Sequence, residues 1–114
     1  MPGRWIGIEF IYTPSFERSA RRLLDDESMR RAELALVAEP RAGAVVAGAG
    51  VIRKLRVALP GRGKRGSARV AYLYVEARGR IYFLLAYAKG DQVDLTAADR
   101  KLLRQLAREL EASE

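Results

Sequence analysis

The chain has 114 residues, a formal net charge of +7, and neither histidine nor cysteine. A chain of this length is typical of one domain with one core, so we expect a single domain over residues 1–114. The missing residue types exclude disulfides, thiolate nucleophiles, zinc–thiolate sites and acid–base catalysis by histidine. No run approaches the ~20 apolar residues of a membrane span, and no signal-peptide pattern is present, so we expect a cytoplasmic protein without a membrane partner.

The first third of the chain predicts a strand followed by two helices. Apolar residues alternate with other residues over 5–12, which is typical of a strand. The pair Thr13–Pro14 supplies an N-cap and a proline at the first helical position, and the apolar spacing predicts a helix over 14–24. The pair Asp25–Asp26 separates it from a second helix that ends before Pro40. Two short consecutive helices of this kind predict a helical hairpin.

The remainder predicts three more strands and a last helix. A glycine-rich loop over 41–50, with a short extended piece, precedes strands at 51–59, 68–76 and 80–88. A capping-box pattern at Thr96 opens the final helix. We therefore predict an α+β fold of order β-α-α-β-β-β-α. It has a mainly antiparallel four-stranded sheet, an N-terminal helical hairpin and a C-terminal helix, with the helices on one face of the sheet.

The positive charge is concentrated in one segment. Residues 41–75 contain eight arginines or lysines and no acidic residue, whereas the rest of the chain is nearly neutral. Such a local concentration of positive charge predicts a polyanionic partner, either nucleic acid or an acidic protein. The alternative is a generally basic surface that serves solubility.

Side chains alternate across the predicted strand 51–59. The apolar residues fall on the face that we expect to be buried. Lys54 and Arg56 fall together on the other face, which we expect to be open, about 6–7 Å apart along the strand. Arg53 shares the apolar face, and we expect its stem to carry the guanidinium to solvent.

Antiparallel pairing brings further polar side chains toward Lys54 and Arg56. We predict a shallow phosphate-lined groove formed by Lys54, Arg56, Arg69, Tyr87 and Lys89. The basic loop PGRGKRGS is expected to rim this groove with Arg62, Lys64 and Arg65. Taken singly, each charge is also typical of a solvated strand or a flexible hairpin tip. Tyr87 is a candidate for stacking on a base, whereas packing is expected of Tyr72, Tyr74 and Tyr82.

The run GVIRKLRVALPGRGKRGSARVAYLYV, with the later run IYFLLAYAKGDQVDLTAADRKLLRQL, resembles the RelE/HigB toxins of bacterial type II toxin–antitoxin systems. The shared features are an RKLR strand, a G-x-GK-x-G loop, an ARV-x-Y strand and a YAK-x-D-x-x-DLT ending. The resemblance covers residues 5–112 by element order. It implies a RelE-like fold and a ribosome-dependent mRNA endonuclease, an mRNA interferase that inhibits translation. In such a reaction a ribose 2′-hydroxyl attacks the adjacent phosphate, and neither a metal nor a cofactor is needed.

The resemblance also implies roles for individual residues. Lys54 and Arg56 match the basic strand of the family, Arg69 matches the arginine at the start of the next strand, and Lys89 matches the lysine after the last strand. Arginines are suited to stabilising the charge of a phosphorane, because they stay charged and fork onto phosphate. Lys54 or Lys89 is implied as the base or acid, and Tyr87 is a second candidate for proton transfer. We also expect Arg53 and the loop cations to bind RNA.

Three positions depart from the best-known members of that family. Ile52, Gly90 and Thr96 stand where those members carry lysine, arginine and tyrosine. The identity of the general base therefore stays open.

The resemblance implies partners and leaves two other functions to weigh. The partners are the ribosome, mRNA and a cognate antitoxin that is often a helix-turn-helix protein, with operator DNA contacted only through the antitoxin. One alternative is a ParE-like toxin that inhibits DNA gyrase, although such a protein has no need of a phosphate groove. The other is a nucleic-acid-binding module without catalysis.

Overall fold

The computed structural model describes residues 4–5, 7–59, 66–88 and 95–113. Its strands are β1 (Arg4–Trp5), β2 (Ile8–Tyr12), β3 (Ala44–Val45), β4 (Arg53–Ala58), β5 (Ser67–Val75) and β6 (Arg80–Ala88). Its helices are α1 (Pro14–Ala20), α2 (Asp26–Ala38) and α3 (Ala97–Ala112), and a 3-10 turn, Glu76–Arg78, joins β5 to β6. The predicted order of the helices and the four longer strands is confirmed.

The described strands form one sheet in the order β1-β2-β6-β5-β4-β3. Among the pairings of the described strands, only β2–β6 is parallel, so the mainly antiparallel character is confirmed. The predicted count of four strands is wrong, because β1 and β3 add two-residue edge strands that are too short to show a period. The predicted strand 5–12 is a hairpin of β1 and β2, with Gly7 at φ 81° in its turn. Glycine tolerates that conformation because it has no Cβ.

The helices begin where their caps predict. The Thr13 side chain accepts a hydrogen bond from the Phe16 N–H, and Asp25 accepts one from the Ser28 N–H at 2.8 Å. In α3, the Thr96 side chain and the third helical residue satisfy each other's backbone groups as a capping box. However, α1 ends at Ala20 rather than at residue 24, and the chain turns there toward α2. No helix in the described part of the chain is both long and apolar enough to cross a membrane.

The helical hairpin of α1 and α2 covers one face of the sheet, which we call the hairpin face. The largest side chains of this core are almost fully buried: Phe10, Phe16, Leu36, Tyr72 and Phe83. The aromatic rings stack directly, with the centroids of Phe10 and Phe83 5.6 Å apart. Burial of such apolar area is the main stabilising contribution to this half of the fold.

The expectation that the helices pack on one face is wrong, because α3 covers a second core on the other face. We call this the α3 face. Ile52 alternates with Lys54 and Arg56, whose face was expected to be open, yet it is fully buried there with Leu73, Leu84 and Leu103. In α3, Leu103 and Ala107 are four residues apart and lie on the buried face of the helix. Leu102 lies outside that face and is 41% exposed.

Candidate nucleic-acid interface

Two arginines and a tyrosine form one row across the middle of the sheet. Arg56 on β4 lies opposite Arg69 on β5, and Arg69 lies opposite Tyr87 on β6. Directly opposed residues share a face and have Cβ atoms about 5 Å apart. Arg69 alternates with Ala71 and Leu73, which pack in the α3 core, so the row faces the α3 side. We call these three residues the cationic row.

A β-bulge in β6 places Tyr87 in this row. Tyr72 pairs with Phe83, but the preceding residue Ala71 pairs with Leu85, so Leu84 has no partner in the register. Because side chains alternate along a strand, this extra residue moves every later residue of β6 to the other face. Without the bulge, Arg69 would face Ala86. The sequence carries no glycine there that would have predicted a bulge.

Lys54 lies next to the cationic row on the same face. It pairs with Ala44 on one side and Ala71 on the other, so small side chains flank it on both neighbouring strands. Lys54 is half-buried and Arg56 is exposed. Within the described part of the chain, neither of their side chains makes a hydrogen bond or an ion pair. Their charges are therefore available to an anionic ligand.

Arg69 is held only weakly. Its guanidinium lies 3.3 Å from the Ser67 hydroxyl and 3.4 Å from the Ala68 carbonyl oxygen, at the long end of hydrogen-bond distances. No carboxylate within the described ranges forms an ion pair with it. A phosphate oxygen could therefore replace these contacts at little cost.

Arg53 lies apart from the other cations. It pairs with Tyr72 on the hairpin face, and its guanidinium donates to the Gly43 carbonyl at 2.8 Å and the Arg41 carbonyl at 3.2 Å. The side chain stays partly exposed, as expected, and these carbonyls hold its guanidinium against the chain before β3. The structure therefore separates Arg53 from Lys54 and Arg56.

The tyrosines divide as expected. Tyr72 and Tyr82 are buried, and Tyr74 packs partly against the hairpin core beneath the Arg41 guanidinium. Burial raises the pKa of Tyr72, whose hydroxyl donates to the Pro40 carbonyl at 2.8 Å and accepts from a backbone N–H. Tyr87 is half-buried as a whole, but its hydroxyl oxygen is buried, and its ring packs partly against the α3 core. It is the tyrosine that reaches the cationic row.

Four predicted site residues lie outside the described residues: Arg62, Lys64, Arg65 and Lys89. The described set is therefore Lys54 with the cationic row. This set offers three positive charges and one phenol on one face of the sheet, which suits binding of a phosphate and stabilisation of added negative charge. Among the residues that the structure describes, no three carboxylates lie together as they would in a metal site.

Comparison with known proteins agrees with this architecture. A family model described as the RelE toxin of RelE/RelB toxin–antitoxin systems matches residues 10–114. The fold is similar to the crystal structure of the isolated E. coli RelE toxin, with a TM-score of 0.50 and 12% identity, covering 85% of this chain and 96% of that chain. It is also similar to a free-state E. coli RelE double mutant, with a TM-score of 0.50 and 12% identity, covering 68% of this chain and 79% of that chain. At this identity the two structures support the fold alone.

Proposed function

The chain belongs to the RelE toxin family of toxin–antitoxin systems, and from this premise we propose that it is an mRNA endoribonuclease that acts on the ribosome. The observation that carries the proposal is the cationic row with Lys54 beside it. These residues concentrate positive charge on one face, and the described residues offer it no carboxylate. A protein that only inhibits gyrase has no need of such a cluster.

We propose that the cleaved bond is the phosphodiester next to an attacking ribose 2′-hydroxyl. The 2′-oxygen forms a bond to phosphorus while its proton passes to a base, and the bond from phosphorus to the 5′-oxygen breaks as that oxygen receives a proton. The products are a 2′,3′-cyclic phosphate and a 5′-hydroxyl. This chemistry needs a base, an acid and stabilisation of the phosphorane, and it is balanced without a metal ion.

The described residues divide these tasks by their chemistry. Arg56 and Arg69 stay charged and present forked donors, so we assign them to the non-bridging phosphate oxygens. Tyr87 and Lys54 carry exchangeable protons on the same face of the sheet, so we assign proton transfer to these two residues. Lys89 keeps its proposed place among the catalytic groups. The loop cations Arg62, Lys64 and Arg65 keep their proposed RNA contacts.

The RelE/RelB family implies an antitoxin partner. We propose that an acidic segment of the antitoxin covers the cationic row, because opposite charge across an interface favours association and excludes RNA from the site. We further propose that the antitoxin alone contacts operator DNA, and that the toxin meets ribosome and mRNA in the cytoplasm.

Cell-free translation tests this function. Purified protein is added to a translation reaction, and mRNA ends are mapped by primer extension with and without ribosomes. New ends at codon positions that need ribosomes are expected. If expression of the protein stops cell growth but mRNA stays intact in the translation reaction, the proposal is overturned in favour of a gyrase-inhibiting toxin. RNA binding without any cleavage would instead indicate a non-catalytic module.

A further inference from the structure

Strand β6 extends past its parallel neighbour. The β2–β6 pairing ends where Tyr12 lies opposite Phe83, so residues 84–88 have β5 as their only strand neighbour within the described chain. Their backbone groups on the other side need partners, because unpaired buried N–H and C=O groups are costly. Helix α1 lies along this side of the strand.

Hydroxyl side chains at the start of α1 and along it take the place of the missing strand. The Thr13 hydroxyl donates to the Phe83 carbonyl at 2.7 Å, and the Ser15 hydroxyl donates to the Leu84 carbonyl at 2.8 Å. The Ser19 hydroxyl accepts from the Ala86 N–H at 2.9 Å. These three contacts continue the backbone pairing of β6 beyond the end of β2.

The two serines contact the bulged segment at and just beyond the extra residue. Ser15 binds Leu84, the residue without a register partner, and Ser19 binds Ala86, one residue beyond Leu85. The Ser19 hydroxyl also donates to the Phe16 carbonyl at 2.9 Å, which fixes its orientation within α1. The bulged backbone is thereby held from outside the sheet at two points.

We infer that Ser15 and Ser19 are positioning residues, which hold the bulged register and so keep Tyr87 beside Arg69. A slip of one residue would turn Tyr87 toward the hairpin face and remove it from the cationic row. This inference rests on the proposed function, because it matters only if the row acts on a phosphate. It assigns to the helical hairpin a part in building a site on the opposite face of the sheet.

Three variants test the inference. Ser19→Ala removes the acceptor of the Ala86 N–H, and Ser19→Thr keeps a hydroxyl at that place. Ser113→Ala is the control, because the Ser113 hydroxyl donates to the Leu110 carbonyl within α3, as Ser19 does within α1, but lies far along the chain from β6. Each variant is measured by single-turnover mRNA cleavage on ribosomes, by circular dichroism and by NMR.

We expect Ser19→Ala to cleave roughly 10- to 100-fold more slowly at saturating ribosomes, the effect of a misplaced reacting group. Its half-saturating ribosome concentration should stay within about twofold, because ribosome binding is not changed. Ser19→Thr should restore most of the rate, and Ser113→Ala should match the wild type. Cleavage by Ser19→Ala at the wild-type rate, or a loss that only follows its unfolded fraction, would overturn the inference.

The NMR measurement separates this inference from the proposed function. In Ser19→Ala, the cross-strand contact between Arg69 and Tyr87 should weaken while that between Leu73 and Tyr82 persists, since the second pair lies on the other side of the bulge. An unchanged Arg69–Tyr87 contact would contradict the positioning role. If the wild-type protein cleaves no mRNA, the proposed function fails, and this measurement still decides whether the serines hold the register.

Discussion

Arg69 on β5 lies directly opposite Tyr87 on β6 because β6 contains one residue, Leu84, without a partner. Residues 72–75 of β5 pair with residues 80–83 of β6 in one register. Residues 68–71 of β5 pair with residues 85–88 of β6 in a register shifted by one residue. The change falls between the packed centre of the sheet and the cationic row. Bulges that re-aim a side chain are common next to active sites. The register change between these two strands therefore determines which residues of β6 pack in the core and which lie beside Arg69.

The hydroxyl of Tyr87 is predicted to matter for cleavage and not for binding. Tyr87→Phe keeps the ring that packs against the α3 core but removes the exchangeable proton. We expect the cleavage rate on ribosomes to fall by roughly 10²- to 10⁴-fold, the usual contribution of an acid or base. RNA affinity, measured by fluorescence anisotropy, should stay unchanged. An active Tyr87→Phe protein would assign proton transfer to the lysines.

Neighbouring arginines on β4 are predicted to differ in their effect on RNA binding. Arg56→Ala should weaken binding to single-stranded RNA and lower the slope of log affinity against log salt by about 0.7, the value for one lost phosphate contact. Arg53→Ala should leave that slope unchanged, because Arg53 is bound to carbonyls on the hairpin face. Instead it should lower the free energy of unfolding by about 1–3 kcal/mol.

Anisotropy titrations at several salt concentrations and urea denaturation measure these two effects. Wild-type protein and both variants are compared under the same conditions. If Arg53→Ala reduces the salt slope as much as Arg56→Ala, the separation of the two arginines by sheet face is wrong. In that case Arg53 contacts phosphate as the sequence pattern suggested.

Two glycines of similar conformation are predicted to respond differently to alanine. Gly50 has φ 67° and open space around an added Cβ, so Gly50→Ala should cost about 1–2 kcal/mol from the left-handed conformation alone. Gly79 has φ 61°, but its added Cβ would lie 2.4 Å from the Gly7 carbonyl oxygen. Gly79→Ala should therefore cost more, about 3 kcal/mol or above. Equal losses in chemical denaturation would contradict the close approach of the two turns.

The partly buried pair of Tyr12 and Glu33 is predicted to make the free energy of unfolding depend on pH in the alkaline range. Burial, and then the hydrogen bond that the Tyr12 hydroxyl donates to Glu33 at 2.5 Å, raise the pKa of Tyr12. The folded state therefore holds this proton more tightly than the unfolded chain does. The resulting stabilisation is complete below the ordinary tyrosine value of about 10 and is lost as pH rises through the folded-state pKa.

Comparing Tyr12→Phe with the wild type isolates this effect. Urea denaturation between about pH 8 and pH 11 should show a fall in the free energy of unfolding above pH 10 for both proteins. The fall should be shallower for Tyr12→Phe, which has no such proton to lose. All other groups are the same in the two proteins, so their contributions cancel in the comparison. Parallel curves would show that Tyr12 ionises alike in the folded and unfolded states.

Local chemistry was enough to predict much of this fold. The caps at Thr13, Asp25 and Thr96 begin their helices where the sequence indicates. The alternation in β4 also placed Lys54 and Arg56 on one face. Caps and alternation depend on neighbouring residues, so they can be read without knowledge of the fold.

Features that depend on distant residues could not be predicted in the same way. Ile52 alternates with Lys54 and Arg56, and only the position of α3 makes it a core residue. The bulge arises from how β5 and β6 pack together, and no glycine or proline marks it. The two carbonyls that hold Arg53 come from the chain before β3. In each case tertiary packing, not local propensity, decides the outcome.

The central claim is that the cationic row stabilises a reacting phosphate, and Arg69 is its middle member. The most direct test is single-turnover cleavage of ribosome-bound mRNA by wild type, Arg69→Ala and the control Arg31→Ala. Arg31 pairs with Glu27 on the surface of α2 and so lies apart from the row. Removing one group that stabilises transition-state charge typically costs about 10²- to 10³-fold.

We therefore expect Arg69→Ala to cleave at least ~100-fold more slowly than the wild type, with an unchanged circular dichroism spectrum, while Arg31→Ala cleaves normally. Cleavage by folded Arg69→Ala at the wild-type rate would contradict the claim that the cationic row is the catalytic site.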